Sequence, residues 1–358
     1  MTESSYPKSR RAAVLSDFGE AHNFSVRDVP VPSLRSDEML VRVKATSVNP
    51  IEWKMRRGIG LPKPIWRLLL GRPMILGIDF SGSVVATGPE VAEYRIGDDV
   101  MGAFRLWGAD AEYVVVRPGR ARTVVARKPS SVSYAEAAAV PFAGLIAVAG
   151  LTRHGRLAAN SRVLIIGASG GVGHIAIQLA KRGIGAAFVV GVCSGKNEEF
   201  VLKCGADHVI AYDRTAIESI ASQHPDWQGS FDLIFDTVGL DKAWTVLAPW
   251  LLSRNGRFVA AAVPQMAGGR AGEDVGIIGG LATVIRFTLR QMGGRYRFIY
   301  GFMNDVFSKL AFLSLVQWLA EGRVAAKVAD TYSLEQLADA HRASETGRTV
   351  GKICVVIS

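Results

Sequence analysis

A chain of 358 residues is long enough for two domains or one large α/β domain. Apolar residues make up 49% and charged residues 21%, ordinary proportions that exclude disorder, collagen and coiled coil. The 42 basic residues against 32 acidic ones leave a net charge of +10, which suits nucleic acid, an anionic membrane or a small polyanionic ligand. Residues 1–126 read as mostly β. Short β-branched runs at 39–43, 82–86, 99–102 and 111–116 alternate with Gly and Pro punctuation. The character changes at Ser133, a helix N-cap with Glu136 three residues later, which spells a capping box. From there strands and helices alternate. Strands are expected at 162–167, 188–192, 208–211, 231–235 and 257–262, with 293–302 as a sixth. Helices are expected at 172–182, at 198–204 closed by Gly205, and at 305–321. Unbroken apolar strands spaced by helices predict a doubly wound parallel sheet. The tail returns to short strands, the last at 352–357, and is expected to rejoin the β-rich first part.

The strongest local motif is the run from Arg162 to Lys181. An apolar strand enters Gly167, Ser169, Gly170, Gly171, Val172 and Gly173, and a helix follows. Glycines let the backbone approach a pyrophosphate, and the helix N-terminus offers N–H groups and partial positive charge. The flanking strand and helix are the context that distinguishes a dinucleotide site from a bare glycine turn. An NAD site places an acid at the end of the second strand, to hold the ribose hydroxyls. Here that strand runs into Ser194, Gly195 and Lys196 before Glu198. Ser194 and Lys196 suit a 2′-phosphate, so NADP(H) is the expected cofactor, with Tyr212 adding a hydroxyl. The alternative for Lys196 is a solvated surface charge. Val238 and Gly239 after the fourth strand, and Val263 after the fifth, are expected to line the nicotinamide.

With these motifs in place, the chain resembles the medium-chain dehydrogenase/reductase superfamily, in its zinc-free quinone oxidoreductase branch. The likeness is closest to the chloroplast-envelope quinone oxidoreductase-like and alkenal/enone reductase group. It rests on Ser47–Lys54, Leu76–Gly82, Gly97–Gly102, Ala138–Gly144, the glycine loop and Gly351–Ile353. The resemblance implies a GroES-like β-rich catalytic domain at 1–126 and 323–358, around an NADP-binding Rossmann domain at 127–322. It also implies a homodimer. Zinc-dependent relatives place ligands where this chain has Asn49, Ile78-Asp79 and Pro141-Phe142, and isoleucine, phenylalanine and an amide cannot make a zinc site. Without a Lewis acid, hydride transfer to an already electrophilic quinone, enone or enal is the expected chemistry.

The resemblance places Asn49 beside nicotinamide and substrate, where its amide would polarise a carbonyl. The alternative is an Asx-turn before Pro50. Lys54 is placed by the nicotinamide ribose, as cofactor clamp or proton relay, against a plain solvated lysine. Glu52 either tunes Lys54 or is a helix-start acid. Asp79, an acid in an otherwise apolar strand expected at 75–80, needs a buried partner, backbone or a nearby Arg, and reads as structural. None of the six His has a ligand-like spacing, so no metal is inferred.

Residues 265–300 are glycine-rich and then basic. They read as a substrate flap, a dimer contact or a membrane-lying helix. Two other readings stay open: an enoyl reductase acting on carrier-bound thioesters, and a non-enzymatic NADPH-binding, membrane-peripheral protein. An acidic carrier or peripheral membrane contact would suit the basic segments 54–72 and 105–128. No nucleic-acid motif is found. No signal peptide or membrane span is read, and three cysteines (Cys193, Cys204, Cys354) make no disulfide framework, so a cytoplasmic setting is expected.

Overall fold

A computed structural model describes residues 6–59, 63–104, 108–120, 123–262, 289–299 and 306–358. The chain divides into two compact units. One is Met1–Ala143 with Phe307–Ala320 and Ala326–Ser358; the other is Gly144–Val306 with Glu321–Ala325.

The first unit opens on a hairpin, β1 (Ser9–Leu15) with β2 (Phe24–Pro30), paired antiparallel. Then come β3 (Met39–Val48), β4 (Asp79–Thr87), β5 (Asp99–Phe104), β6 (Tyr113–Val116) and β7 (Thr123–Arg127). The second unit holds β8 (Arg162–Ile166), β9 (Phe188–Cys193), β10 (His208–Ala211), β11 (Phe231–Asp236), β12 (Leu252–Ala260) and β13 (Tyr296–Phe298). The tail supplies β14 (Val328–Ser333) and β15 (Lys352–Val356) to the first unit.

Among the described residues the second unit forms one parallel sheet in the order β10-β9-β8-β11-β12-β13. The order reverses beside β8, and the crevice at such a switch point is where α/β sheets take ligands. Its strands read as apolar runs because both faces are covered. Leu164, Ile166, Val190, Val192, Ile234 and Phe258 are all buried in one cluster. The sixth strand is only Tyr296–Phe298, shorter than the 293–302 stretch expected from sequence. Within the 265–300 stretch only 289–299 are described; there Arg290 pairs with Asp241 at 2.8 Å and Arg295 donates to Ser253 O at 2.8 Å. These two basic side chains are tied into their own unit.

In the first unit the main sheet runs β14-β15-β3-β4-β5-β7, with β6 also on β3. Its interior face gathers Met39, Val41, Phe80, Val100, Val114, Ile353 and Val355. The β1–β2 hairpin and β7 are further strands beyond the four expected in 1–126, and β14 is one of the short strands expected in the tail.

The first unit continues past residue 126, where the sequence had put the boundary, because the helix Tyr134–Ala139 packs on this sheet. Ser81 Oγ donates to Tyr134 O at 2.6 Å, and Phe142 N–H donates to Asp79 Oδ1 at 2.7 Å. The helix Lys309–Ala320 also falls in this unit.

The capping box is formed as spelled. Ser133 Oγ accepts from Glu136 N–H at 3.2 Å, and Glu136 Oε2 accepts from Ser133 N–H at 2.8 Å. Ser133→Ala removes one arm of this pair and is expected to cost about 1 kcal/mol of stability. A denaturant titration reads it as a lowered midpoint with unchanged slope; an unchanged midpoint would show the cap to be idle.

Candidate active site

In the second unit, β8 runs into Gly167 at φ +78°, a conformation open to glycine. Gly167 and Ala168 N–H both donate to Val192 O, which ties the turn to β9. Gly170 N–H donates back to Gly167 O at 3.0 Å. The helix Gly173–Gln178 starts here and continues as a wider turn over Leu179–Ile184. A Cβ on Gly173 would lie 2.1 Å from Gly167 O, and one on Gly191 would lie 2.5 Å from Val201 Cγ1. Glycine at these two places is a packing requirement. His174 is buried, with Nδ1 2.8 Å from Gly170 O, and so braces the loop.

Beyond β9, Asn197 Nδ2 donates to both Ser169 Oγ and Ser194 Oγ at 3.1 Å. The glycine loop and the end of the second strand are thus stitched into one polar edge. Lys196 is exposed there. A residue the sequence reading missed joins them: the Arg214 guanidinium lies against Gly195, where a Cβ would be 2.7 Å from its Cζ. Gly195 leaves that space open, which a glycine between Ser194 and Lys196 had signalled. Asp213, the acid nearest this edge in sequence after β10, is occupied in accepting from Gly195 N–H at 2.8 Å. Tyr212 is 64% exposed, and its backbone N–H donates to Cys193 O.

At the end of β11, Asp236 is buried and accepts from the N–H groups of Val238, Gly239 and Leu240 at 2.7–2.9 Å. Burial raises its pKa while those three bonds pull it down. The carboxylate shapes the turn that presents Val238, which is 48% exposed. Val263 lies outside the described residues.

In the first unit, strand register assembles a buried polar cluster. Ser47 on β3 faces Asp79 on β4, and Val48 faces Ile353 on β15. Asp79, Asn49 and Lys352 are therefore neighbours. Asp79 opens β4 at the end of an apolar stretch that is itself not strand. Its Oδ2 accepts from Ser47 Oγ at 2.6 Å and Asn49 Nδ2 at 2.8 Å, and faces Lys352 Nζ at 3.4 Å. Lys352 Nζ donates to Asn49 Oδ1 at 2.6 Å. Asn49 Nδ2 also donates to Glu52 Oε1 at 2.9 Å.

This geometry corrects the expectation for Asn49. Its amide hydrogens are directed to Glu52 and Asp79, and its oxygen to Lys352. At 3% exposure it stands at the N-cap of the helix Pro50–Arg56 without capping it. An amide so engaged has no hydrogen left for a substrate carbonyl. Glu52 likewise faces Asn49 and the Ile78 N–H at 3.1 Å. Lys54, half-buried on the same helix, sits 5.6 Å from the Trp53 ring centroid, and burial lowers its pKa. Lys352 was absent from the sequence-level candidates. The motif Gly351–Ile353 had been noted only for its family likeness, and nothing local says that this ammonium turns inward.

A unit built on a parallel dinucleotide sheet with a tight glycine turn, and a second unit of mainly antiparallel strands completed by the tail, define a class of nicotinamide-type oxidoreductase folds. The chain belongs to the medium-chain dehydrogenase/reductase superfamily, in its quinone oxidoreductase-like branch. Residues 35–149 match the alcohol dehydrogenase GroES-like domain, and residues 204–355 match a zinc-binding dehydrogenase family. The chain is 31% identical over 339 residues to a mitochondrial NAD(P)H oxidoreductase of Danio rerio, covering 90% of this chain and 84% of that one. It is 37% identical over 204 residues to a chloroplastic quinone-oxidoreductase homologue of Spinacia oleracea, covering 54% of this chain and only 58% of that one. It is 32% identical over 257 residues to the chloroplastic NADPH-dependent alkenal/one oxidoreductase of Arabidopsis thaliana, covering 68% and 62%. Among solved structures, the quinone oxidoreductase from Coxiella burnetii superposes with a TM-score of 0.78 at 27% identity, covering 98% of this chain and all of that one. The second family's name invokes zinc. Here Ile78 and Phe142 carry no donor atoms, and the oxygens of Asn49 and Asp79 face the Lys352 ammonium. That donor set does not fit a zinc ion.

Proposed function

We propose that the protein is an NADPH-dependent, zinc-independent reductase of quinones or of the C=C bond of α,β-unsaturated carbonyls. The observation that carries the cofactor reading is the polar edge at the end of β9. Ser169, Ser194 and Asn197 form it, Lys196 and the Arg214 guanidinium flank it, and the nearby Asp213 is turned to a backbone N–H. Hydroxyls and cations there suit a 2′-phosphate, and the Glu198 carboxylate at the same edge is paired with Arg214 at 3.5 Å. Gly167–Gly173 would cradle the pyrophosphate, and Val238 with Gly239 would contact the nicotinamide side. Bound there, NADPH supplies a hydride. The chain's own contribution is alignment of the acceptor.

The first unit supports the substrate class. Its polar cluster is closed on itself, with Lys352 in the charge-balancing position, and so offers no Lewis acid to turn an alcohol into an alkoxide. Acceptors that are already electrophilic fit such a site. The names of the spinach, Arabidopsis and Coxiella relatives agree with that class. Lys54, with its pKa lowered by burial, is the side chain proposed to orient the cofactor or return a proton. The buried thiols Cys193, Cys204 and Cys354 suit a reducing, cytoplasmic setting.

The test is NADPH oxidation against a panel of 2-alkenals, enones and quinones. Turnover on at least one class is expected; tight NADPH binding with no turnover on any would overturn the reading. Ser194→Asp is expected to weaken NADPH by about tenfold or more while sparing NADH, the loss of roughly one charge-assisted hydrogen bond. An unchanged cofactor preference would remove Ser194 from the phosphate site.

A further inference from the structure

Three ionisable side chains meet in the interior of the first unit, independently of the cofactor reading. Glu52 lies on the helix Pro50–Arg56, Asp110 lies between β5 and β6, and His341 lies on the helix Leu337–Glu345. Each presents one ligand atom, and these atoms all lie within 4.8 Å of one another. Exposure is 0% for Glu52, 1% for Asp110 and 0% for His341. Glu52 Oε2, Asp110 Oδ2 and both ring nitrogens of His341 have no hydrogen-bond partner among the described residues. An unsatisfied buried polar atom costs about 1–3 kcal/mol, more when charged. Three such side chains, each offering one ligand atom to the same spot, call for a shared occupant.

The charges around the spot say which kind. Arg56, fully buried nearby, is paired with Glu345. Lys352 is taken up by Asn49 and Asp79. The two nearest cations thus have their own oxygen partners. Glu52 and Asp110 make no ion pair among the described residues. A divalent cation binds them as carboxylates, balances their two negative charges and gives each of the three side chains a partner.

We infer that Glu52, Asp110 and His341 form a binding site for a divalent first-row metal ion. Two carboxylate oxygens and an imidazole nitrogen are a donor set that such ions take, with zinc favoured over manganese and iron by intrinsic affinity. Ligand bonds of about 2.0–2.2 Å put donors on a tetrahedral ion roughly 3.5 Å apart, so the triad closes by drawing in about 1 Å. The side-chain torsions of Glu52 and His341 supply that. The site is sealed, so the ion enters as the unit folds. It fastens the helix Pro50–Arg56, the segment 108–112 and the helix Leu337–Glu345 to one point. Glu52 Oε1, which accepts from Asn49, links this point to the polar cluster. The ion touches no substrate; its role is positional.

The rival occupant is a pair of protons shared among the three groups, with or without a trapped water. Metal analysis separates the two. The full chain, expressed with added Zn2+ and purified without chelator, is expected to carry about one metal ion per molecule. His341→Ala and Asp110→Asn are each expected to lower that content at least tenfold. Refolding the wild type with Co2+ in place of Zn2+ is expected to give the visible absorption of a tetrahedral cobalt centre. That readout needs no variant, so it stands even if the substitutions do not fold. A folded wild type that carries less than about 0.1 ion per chain and shows no cobalt band overturns the inference in favour of shared protons.

Discussion

Lys352→Met lowers the unfolding free energy by about 3–5 kcal/mol, the cost of breaking a buried ion pair from one side. Lys352 is 4% exposed and Asp79 is 0% exposed. Removing the ammonium leaves Asp79 Oδ2 with only Ser47 and Asn49, and deprives Asn49 Oδ1 of its donor. Lys352→Arg does not rescue it, because a forked guanidinium does not fit where a compact ammonium touches Asn49 Oδ1, Val48 O and Asp79 Oδ2 together. Chemical denaturation of wild type, Lys352→Met, and Lys352→Met with Asp79→Asn gives the measurement. The double variant recovers part of the loss, since it no longer buries an unpaired charge. A single-variant loss under about 1 kcal/mol would mean that the pair carries none of the stability assigned to it.

Gly173→Ala weakens dinucleotide binding by about 5- to 150-fold, the equivalent of about 1–3 kcal/mol of overpacking. The added Cβ would stand 2.1 Å from Gly167 O and 2.8 Å from Ala168 Cα. Both neighbours are backbone and cannot rotate aside. The helix start must lift, which tilts N–H groups away from the pyrophosphate. Fluorescence titration with NADPH reads the change. Gly170→Ala serves as the comparison, because its Cβ would meet only Gly167 O at 3.3 Å. It is expected to lose less, and equal losses in the two variants would locate the effect elsewhere than in this collision.

The second unit was largely legible in the sequence. Its strands are buried on both faces and so spell apolar runs, and its first turn demands glycine, so each local pattern has one physical reading. The first unit was less so. The β1–β2 hairpin contains Arg10, Arg11, Arg27 and Asp28 among its apolar residues, which blurs a strand pattern. The site suffered from the same limit. Asn49 is a plausible hydrogen-bond donor as a residue type, and only the register of β3, β4 and β15 reveals that its amide is already engaged. His341 showed no ligand spacing because its companions Glu52 and Asp110 arrive from remote segments. Arg214 was missed because its role depends on an empty volume above Gly195. Residue type and spacing report local chemistry; they do not report which long-range neighbour has consumed it.

The return of the tail to β14 and β15 also sets a timetable. Residues 326–358 leave the ribosome after the whole of 144–306, so the inserted unit can fold while the sheet of the first unit is still short of two strands. Until then Asp79 has no ammonium opposite it and the interior faces of β3 and β4 lack Ile353 and Val355. Until that last strand arrives, the dinucleotide half can be finished while the other half holds its Asp79 carboxylate on hydrogen bonds from Ser47, Asn49 and Phe142 alone.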